Sequence, residues 1–410
     1  MIAPLHIDGK VGKMLYPKEQ IAQAYDTKAE LVRYYGSHTL AFFGLAPQNL
    51  HFLAPGEEGL VNYRLASNVA VVLGDPVCAP EAFERVTRSF LDFCTLHDWR
   101  VAFYQANPEH LTAYHALKLH TFKMGEEAII DPQTFTLSGS TMANVRISAR
   151  RAEHEGVAID WHEGVPPAEV IYQLGQISSA WLEHKAGKRA SEMGFSMGRL
   201  DELTDTAERA DMVASIDMIG STDAADKSAV GAKELIGYPQ GAPLQQAPLR
   251  SLHLIAPRVV TAVATTSSGK ACAFVTFTPV YGLGEEGWGW TLDLMRRTPD
   301  AAPGVIELLL VRAIERFRSC GAQIVSLGLV AMADTQREMT AGQRQIASFI
   351  TNRLHLLEGR RTLFNFKQKF HPRWESRYVV ASTTLALPKI ALAILRLRNY
   401  SGGGLVRLIK

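Results

Sequence analysis

Apolar and polar positions fall into blocks along the chain, and the periods of those blocks separate strands from helices. The run Asn62–Leu73 (NYRLASNVAVVL) predicts two strands around a turn at Ala66-Ser67-Asn68, ending in Gly74-Asp75-Pro76. Between Pro80 and His97, the residues Phe83, Val86, Phe90, Phe93 and Cys94 recur at helical spacing, so an amphipathic helix follows. Arg100–Gln105 (RVAFYQ) reads as a further short strand. Strand–helix alternation of this kind predicts an α/β first domain over residues 20–137. Residues 138–156 read as an Arg-rich connecting helix, closed by Gly156 where a C-cap belongs.

A second domain is expected over 157–384. It opens with a strand at Val157–His162 and a helix at Pro167–Lys185. Residues 204–248 are rich in Ala, Gly, Ser, Asp and Gln and lack sustained periodicity, which predicts a long, partly disordered insertion. Order resumes with strands at Val259–Thr265, Ala271–Phe277 and Gly289–Met295. A helix at Val305–Cys320 follows, with Ile306, Leu309, Leu310, Ala313, Ile314 and Phe317 facing inward, then a strand at Ile324–Leu329. The order β-β-helix-β is that of half an acyltransferase-type sheet, and the chain shows it twice.

At 410 residues the chain is too long for one ordinary core, which agrees with two domains. With 47% hydrophobic and 20% charged residues, wholesale disorder is excluded. Charge is nearly balanced at +2 but unevenly placed: Arg353–Lys410 holds 12 basic and 2 acidic residues, leaving the rest acidic. A basic C-terminal end implies an anionic partner, nucleic acid or an anionic membrane surface. No stretch reaches the roughly 18 uninterrupted apolar residues of a membrane span, and the N-terminus has no sustained apolar region of a secretory signal. Cys78, Cys94, Cys272 and Cys320 are widely spaced without a CxxC pair, so neither a disulfide framework nor a structural zinc site is expected, and a reduced cytoplasmic setting is.

Several familiar chemistries lack their residues. There is no Walker loop, GxSxG elbow or HExxH pair. Acetyl-CoA-using GNAT enzymes hold pyrophosphate on backbone N–H groups of a Gly-rich turn, R/Q-x-x-G-x-G/A. The corresponding stretch here, Arg297-Thr298-Pro299-Asp300-Ala301-Ala302-Pro303-Gly304, puts proline and an acidic residue there instead, which argues against acetyl-CoA.

A series of short runs remains: LGDPV at 73–77, FYQ at 103–105, KMGEEAIID at 123–131, FTLSG at 135–139 and NVRISARRAEHEG at 144–156. They continue with FSMGRLD at 195–201, LDLMRR at 292–297, PDAAPG at 299–304, SLGL at 326–329 and FNFKQKFHPRWESRYV at 364–379. In this order the set resembles the soluble synthase domain of the aminoacyl-phosphatidylglycerol synthases, the multiple peptide resistance factor family, over roughly residues 30 to 385. The resemblance implies an α/β fold of tandem GNAT-like domains joined by a helix. It also implies transfer of an aminoacyl group from aminoacyl-tRNA, as co-substrate, to a hydroxyl of phosphatidylglycerol, with no further cofactor and no metal. The transmembrane flippase that usually precedes such domains is not seen in the sequence, which leaves room for one encoded separately.

The same resemblance suggests site residues. Asp293 and Arg296, three apart at a strand end, read from spacing alone as a surface ion pair; the resemblance makes them catalytic, Asp293 orienting the substrate amine or hydroxyl and Arg296 meeting phosphate or developing charge. Glu307 stands in the acidic position of the following helix, where the family usually has Met-Asp. Lys367, Lys369 and Arg373 lie in a run interleaving aromatics with cations. On pattern alone that run is an edge strand with a solvated basic face; with the resemblance, these residues meet tRNA or lipid phosphates. Ser196 and Arg199 are divided between substrate binding and stabilising a turn. Glu126 and Glu127 read as structural, as does the Gly74-Asp75-Pro76 turn. Val330-Ala331-Met332-Ala333-Asp334 departs from the family's pattern beside the expected pocket. Residues 385–410 read as a basic amphipathic helix and tail, either docked on the core or lying peripherally on the inner face of the cell membrane. Two alternatives stay open: another lipid, alcohol or peptide acceptor, and a non-catalytic tRNA- or membrane-binding module.

Overall fold

A computed structural model of the chain describes residues 18–186, 195–196, 198–223, 257–282, 288–331 and 360–398. Its N-terminal half begins with α1 (Lys18–Tyr35), β1 (Leu50–Leu53), β2 (Gly59–Ala66) and β3 (Val69–Leu73). β2 and β3 form the predicted hairpin, turning through Ser67 and Asn68, both at positive φ. Two such residues are what a tight hairpin turn with the strands' own twist requires. The short β4 (Val77–Cys78) pairs with β2.

Every residue of β3 is buried, as expected of a strand covered on both faces. It pairs in parallel with β5 (Arg100–Ala106), and the crossover is α2 (Phe83–Leu96), whose Phe83, Val86, Phe90 and Cys94 enter the core. The helix α3 (Leu111–Ala116) and the long strand β6 (His120–Ile130) complete this half.

The C-terminal half repeats the pattern. After α4 (Ala143–His154) come β7 (Ala158–Glu163), α5 (Ala168–Ala186), α6 (Leu203–Asp223), β8 (Val260–Thr265), β9 (Ala271–Val280) and β10 (Gly289–Arg297). Then follow α7 (Val305–Ser319), β11 (Ile324–Ala331), α8 (Arg360–Gln368), β12 (Arg373–Ala381) and α9 (Leu387–Arg398).

All the strands among the described residues join one sheet in the order β1-β2-β3-β5-β12-β6-β11-β10-β9-β8-β7, with β4 on β2. The halves have exchanged their last strands. β12 lies beside β5 of the first half, β6 lies beside β11 of the second, and β6 and β12 pair antiparallel with each other. Partnership in the sheet therefore parts company with chain order at the expected 157–384 unit, because β12 completes the first half. The basic run is likewise no edge strand. Its first part is α8, and the strand that follows sits between two neighbours in the middle of the sheet.

Helices α4 and α7 cover one face of the second half through Val145, Val305, Leu309, Leu310 and Phe317. On the opposite face α5 and α6 pack with α1 and with Phe42, Leu45 and Leu60 of the first half, so the halves share a core. The expected insertion is corrected here. Residues from Leu203 to Asp223 form a helix, and Leu203, Ala207, Ala210 and Val213 bury a stripe of small apolar side chains that low hydrophobicity had hidden; residues 224–248 lie outside the described residues.

One difference between the halves lies along β10 and β11. β3 and β5 stay paired along Val69–Leu73, whereas β10 and β11 pair only at Gly289–Thr291 with Ile324–Ser326. Beyond that point a bulge in β10 between Leu292 and Met295, and an irregularity in β11 between Ser326 and Leu329, separate the strands.

Candidate functional site

At the end of β10 lies a cavity of about 400 Å³ lined by Trp181, Arg296, Pro303, Glu307 and Phe366 among others. Its floor is the end of β10, its wall the first turn of α7, and its far side is supplied by α5 and α8. Gly304 makes the tight entry into α7 from a left-handed φ of 89°, and a Cβ there would lie 2.0 Å from the Ser148 carbonyl oxygen. Only glycine permits both the conformation and the close approach of α4. Asp300, the acidic residue of the same loop, turns away to Lys270 on the surface at 3.6 Å.

Arg296 and Glu307 therefore meet in one cavity although they belong to different elements. Arg296 is 5% exposed; it donates to the Ser178 hydroxyl and stacks over the Trp181 ring at 5.4 Å. Glu307 is buried and accepts a hydrogen bond from the Lys369 ammonium at 3.0 Å, and that ammonium also lies 5.4 Å from the Phe366 ring. Asp293 is not a surface residue either. Its Oδ1 accepts the Gly198 N–H at 2.5 Å, and a Cβ on Gly198 would come within 2.2 Å of its other oxygen. The spacing reading of Asp293 and Arg296 as a solvated surface pair is thus corrected: both are buried.

The other predicted residues scatter. Arg199 makes a two-pronged contact with Asp201, at 2.9 and 2.7 Å, beside a half-buried Ser196. Arg373 is largely exposed and pairs with Glu375 at 2.6 Å. Lys367 is 4% exposed, and its ammonium donates to the carbonyls of Gly328 and Leu329 at 2.8 and 3.3 Å. These carbonyls lie in β11 where it has left β10, so the lysine supplies hydrogen bonds in the splayed region. Residues 332–334 of the departing segment lie outside the described residues. Among the described residues, no group of three or more His, Cys, Asp and Glu side chains is placed to hold a metal ion.

The sequence pattern of the family described as phosphatidylglycerol lysyltransferase, C-terminal, matches residues 29–218 and 244–381. The chain belongs to this family. Among its relatives, a phosphatidylglycerol lysyltransferase of Bacillus subtilis is 26% identical over 89% of the chain, and an uncharacterised protein of Corynebacterium glutamicum is 24% identical over 92%. The chain spans 36% and 41% of their lengths. In solved structures, L-PGS from Bacillus licheniformis superposes with a TM-score of 0.67 at 22% identity, covering 91% of this chain and 96% of that one. A C-terminal domain (DUF2156) from Agrobacterium fabrum gives 0.66 at 22% identity, covering 93% and 98%. The fold is thus the α/β, tandem GNAT-like arrangement of the phosphatidylglycerol lysyltransferase C-terminal family.

Across β12, β6 and β11 in the middle of the sheet, this member of the family carries a buried polar chain that spacing did not reveal as a unit. Glu127 on β6 accepts from the Arg377 guanidinium at 2.7 Å and from the Ser326 hydroxyl, while Arg377 also holds Glu375 at 2.9 Å. Burial alone pushes the Glu127 carboxyl up, but Arg377 and the hydrogen bonds of Ser326 and Thr39 hold it below the ordinary carboxylate range. Burial pushes the Lys367 ammonium down to about 7 against the opposing pull of Glu127. Trp181 and Ser178 also escaped sequence reasoning, because each sits in an ordinary helical pattern and only packing turns it toward Arg296.

Proposed function

We propose that the chain is an aminoacyltransferase that moves an aminoacyl group from aminoacyl-tRNA to a hydroxyl of phosphatidylglycerol. The observation that carries this reading is the cavity at the end of β10, where Arg296 and Glu307 line one space. The name of the Bacillus subtilis relative supplies the lipid and suggests lysine as the amino acid.

The step is an ester exchange. The lipid hydroxyl oxygen attacks the aminoacyl carbonyl carbon, a tetrahedral oxyanion forms, the bond to the ribose oxygen breaks, and the hydroxyl proton ends on that oxygen. Atoms balance without ATP, cofactor or metal, so the protein's work is positioning and charge stabilisation. Arg296, fixed by Ser178 and Trp181, faces the developing oxyanion. The first turn of α7 adds backbone N–H groups, since a helix start leaves such groups without helical acceptors. Glu307 receives the substrate's amino group or its proton, in exchange with Lys369. Asp293, clamped by Gly198, orients the amine or hydroxyl, with Ser196 and Arg199 close in sequence to that clamp. Lys369 and Arg373 meet phosphate. Lys367, whose ammonium is committed to backbone carbonyls, supports the splay.

Peripheral contact with the inner face of the cell membrane brings the lipid within reach. One face of α9 docks on the first half through Leu387, Ile390, Ala393 and Leu397, while Leu392 on the same helix, which also carries Lys389 and Arg396, stays 43% exposed and Leu385 just before the helix 86% exposed. A separately encoded flippase is compatible with this arrangement.

The test mixes the protein with phosphatidylglycerol vesicles and tRNA charged with a pool of radiolabelled amino acids, followed by lipid extraction. Label in the lipid that RNase pretreatment abolishes is the expected result and names the amino acid. Label reaching another acceptor moves the acceptor assignment. Binding of tRNA without transfer to any acceptor overturns the enzymatic reading in favour of a binding module.

A further inference from the structure

At the other end of α7 lies a second recess, separate from the cavity, with a volume of about 540 Å³. It is walled by the 135–139 segment, α4 and the last turns of α7, and its polar lining comes from Thr136, Ser138, Arg146, Arg150, Glu315 and Arg318. Two of the runs singled out in the sequence, FTLSG and NVRISARR, converge here, and nothing in the proposed reaction uses them.

The guanidinium groups are only partly engaged. Arg146 donates through Nη1 to the carbonyls of Leu137 and Gly139, which anchors it against the loop. Arg318 donates through Nε to the Pro132 carbonyl at 2.6 Å. Arg150 is exposed and has no partner among the described residues. Each guanidinium carries five N–H donors in a planar fork, so donors remain on all three. Among the described residues of the lining, the only carboxylate, Glu315, is engaged by Arg312 at 2.7 Å. The recess is therefore a cationic hollow whose anchored arginines are held in place by backbone contacts, with hydroxyls at its mouth.

We propose that this recess binds a backbone phosphate of the RNA co-substrate, a few nucleotides before the aminoacylated end. The inference rests on the transfer reaction proposed above. Phosphate suits the spare guanidinium forks, which pair with it in two-pronged fashion. Distance decides between RNA and lipid. From Glu307 in the cavity to Glu315 and Arg318 the helix advances by about 12 to 17 Å at 1.5 Å per residue. The phosphate of phosphatidylglycerol is only a few bonds from its reacting hydroxyl and cannot occupy this recess while that hydroxyl is in the cavity. A polynucleotide carries a phosphate at every residue, so its chain spans the gap.

Two variants test the assignment in the full chain: Arg150→Glu, at an exposed position, and Ser138→Asp, which sets a carboxylate at the mouth. Arg88→Glu, on the exposed face of α2, controls for general charge. Binding of uncharged tRNA is measured across salt concentrations, binding to phosphatidylglycerol–phosphatidylcholine vesicles is measured in parallel, and steady-state transfer is measured with each substrate varied. The expected result for both variants is weaker tRNA binding, with the slope of log K against log salt lowered by about one for Arg150→Glu. KM for aminoacyl-tRNA rises, kcat at saturation and KM for lipid hold, and Arg88→Glu behaves as wild type. Unchanged tRNA binding in both variants, while the wild type binds and transfers, overturns the recess alone. Weakened vesicle binding with unchanged tRNA binding overturns it in favour of a lipid surface. A wild-type protein that neither binds tRNA nor transfers overturns the parent reading, and the recess proposal with it.

Discussion

Glu307 in the first turn of α7, where it lines the cavity, holds the Lys369 ammonium at 3.0 Å, joining a helix start to a residue just past the end of α8. The Glu307 side chain is 11% exposed and that of Lys369 39%, so solvent weakens the attraction from the lysine side. Replacing Glu307 with Gln keeps the shape and removes the charge. Transfer is expected to fall by about 10²-fold or more, the range for loss of an acid–base group, with little loss of thermal stability because such half-exposed pairs contribute about 1 kcal/mol or less. Parallel melting curves and kcat/KM measurements check this; near-normal turnover in a folded Glu307→Gln protein removes Glu307 from the chemistry.

Gly198 leaves room for Asp293 that no other residue would. A Cβ at this position meets the Asp293 carboxylate at 2.2 Å, and the backbone N–H that holds the carboxylate belongs to the same residue. Gly198→Ala is expected to lower kcat by displacing Asp293, with a smaller effect on binding of tRNA. The reverse split, with binding lost and kcat kept, assigns the turn to substrate capture instead.

Arg296 tests charge stabilisation most directly. Arg296→Lys keeps the charge but loses the planar contact with Trp181 and the fixed fork. A loss of about 10²- to 10³-fold in kcat is expected, comparable with removing one oxyanion donor. Equal activity of the lysine and arginine forms shows that charge alone suffices and that the geometry around Ser178 and Trp181 does not matter.

Lys367 predicts a pH dependence of stability. Its folded pKa, at about 7, lies below its ordinary value of 10.5, so between these pH values the unfolded chain binds the proton more tightly than the folded one. Stability contributed by this group therefore rises with pH above about 7, and the penalty is fully present below it. Chemical denaturation at pH 7 and pH 8.5 should show the midpoint rising in the wild type. The rise should be smaller in Lys367→Met, whatever that variant's absolute stability, and identical slopes exclude this titration.

Much of the fold is legible in the chain because local pattern and burial agree there. The all-apolar VAVVL of β3, the stripe of α2 and the inward face of α7 each bury the residues their periods mark, since short-range geometry alone decides which side chains share a face. The ordered runs carried the family for the same reason, as linear patterns read without knowledge of contacts. Where composition was misleading, at Leu203–Asp223, the helix is stabilised by partners on α1 and α5 and not by its own hydrophobicity.

What only the tertiary structure decided is which distant residues meet. The exchange of β6 and β12 brings Glu127 to Arg377, a pairing across 250 positions that no spacing rule marks. The entry of α7 against the end of β10 brings Arg296 and Glu307 into one cavity, while Lys367, two residues from Lys369 in the same basic run, is drawn inward to the β11 carbonyls. Sequence period sets the face on which a side chain stands. The sheet order and the bulges set what stands opposite it, and those depend on strand pairings formed between segments far apart in the chain.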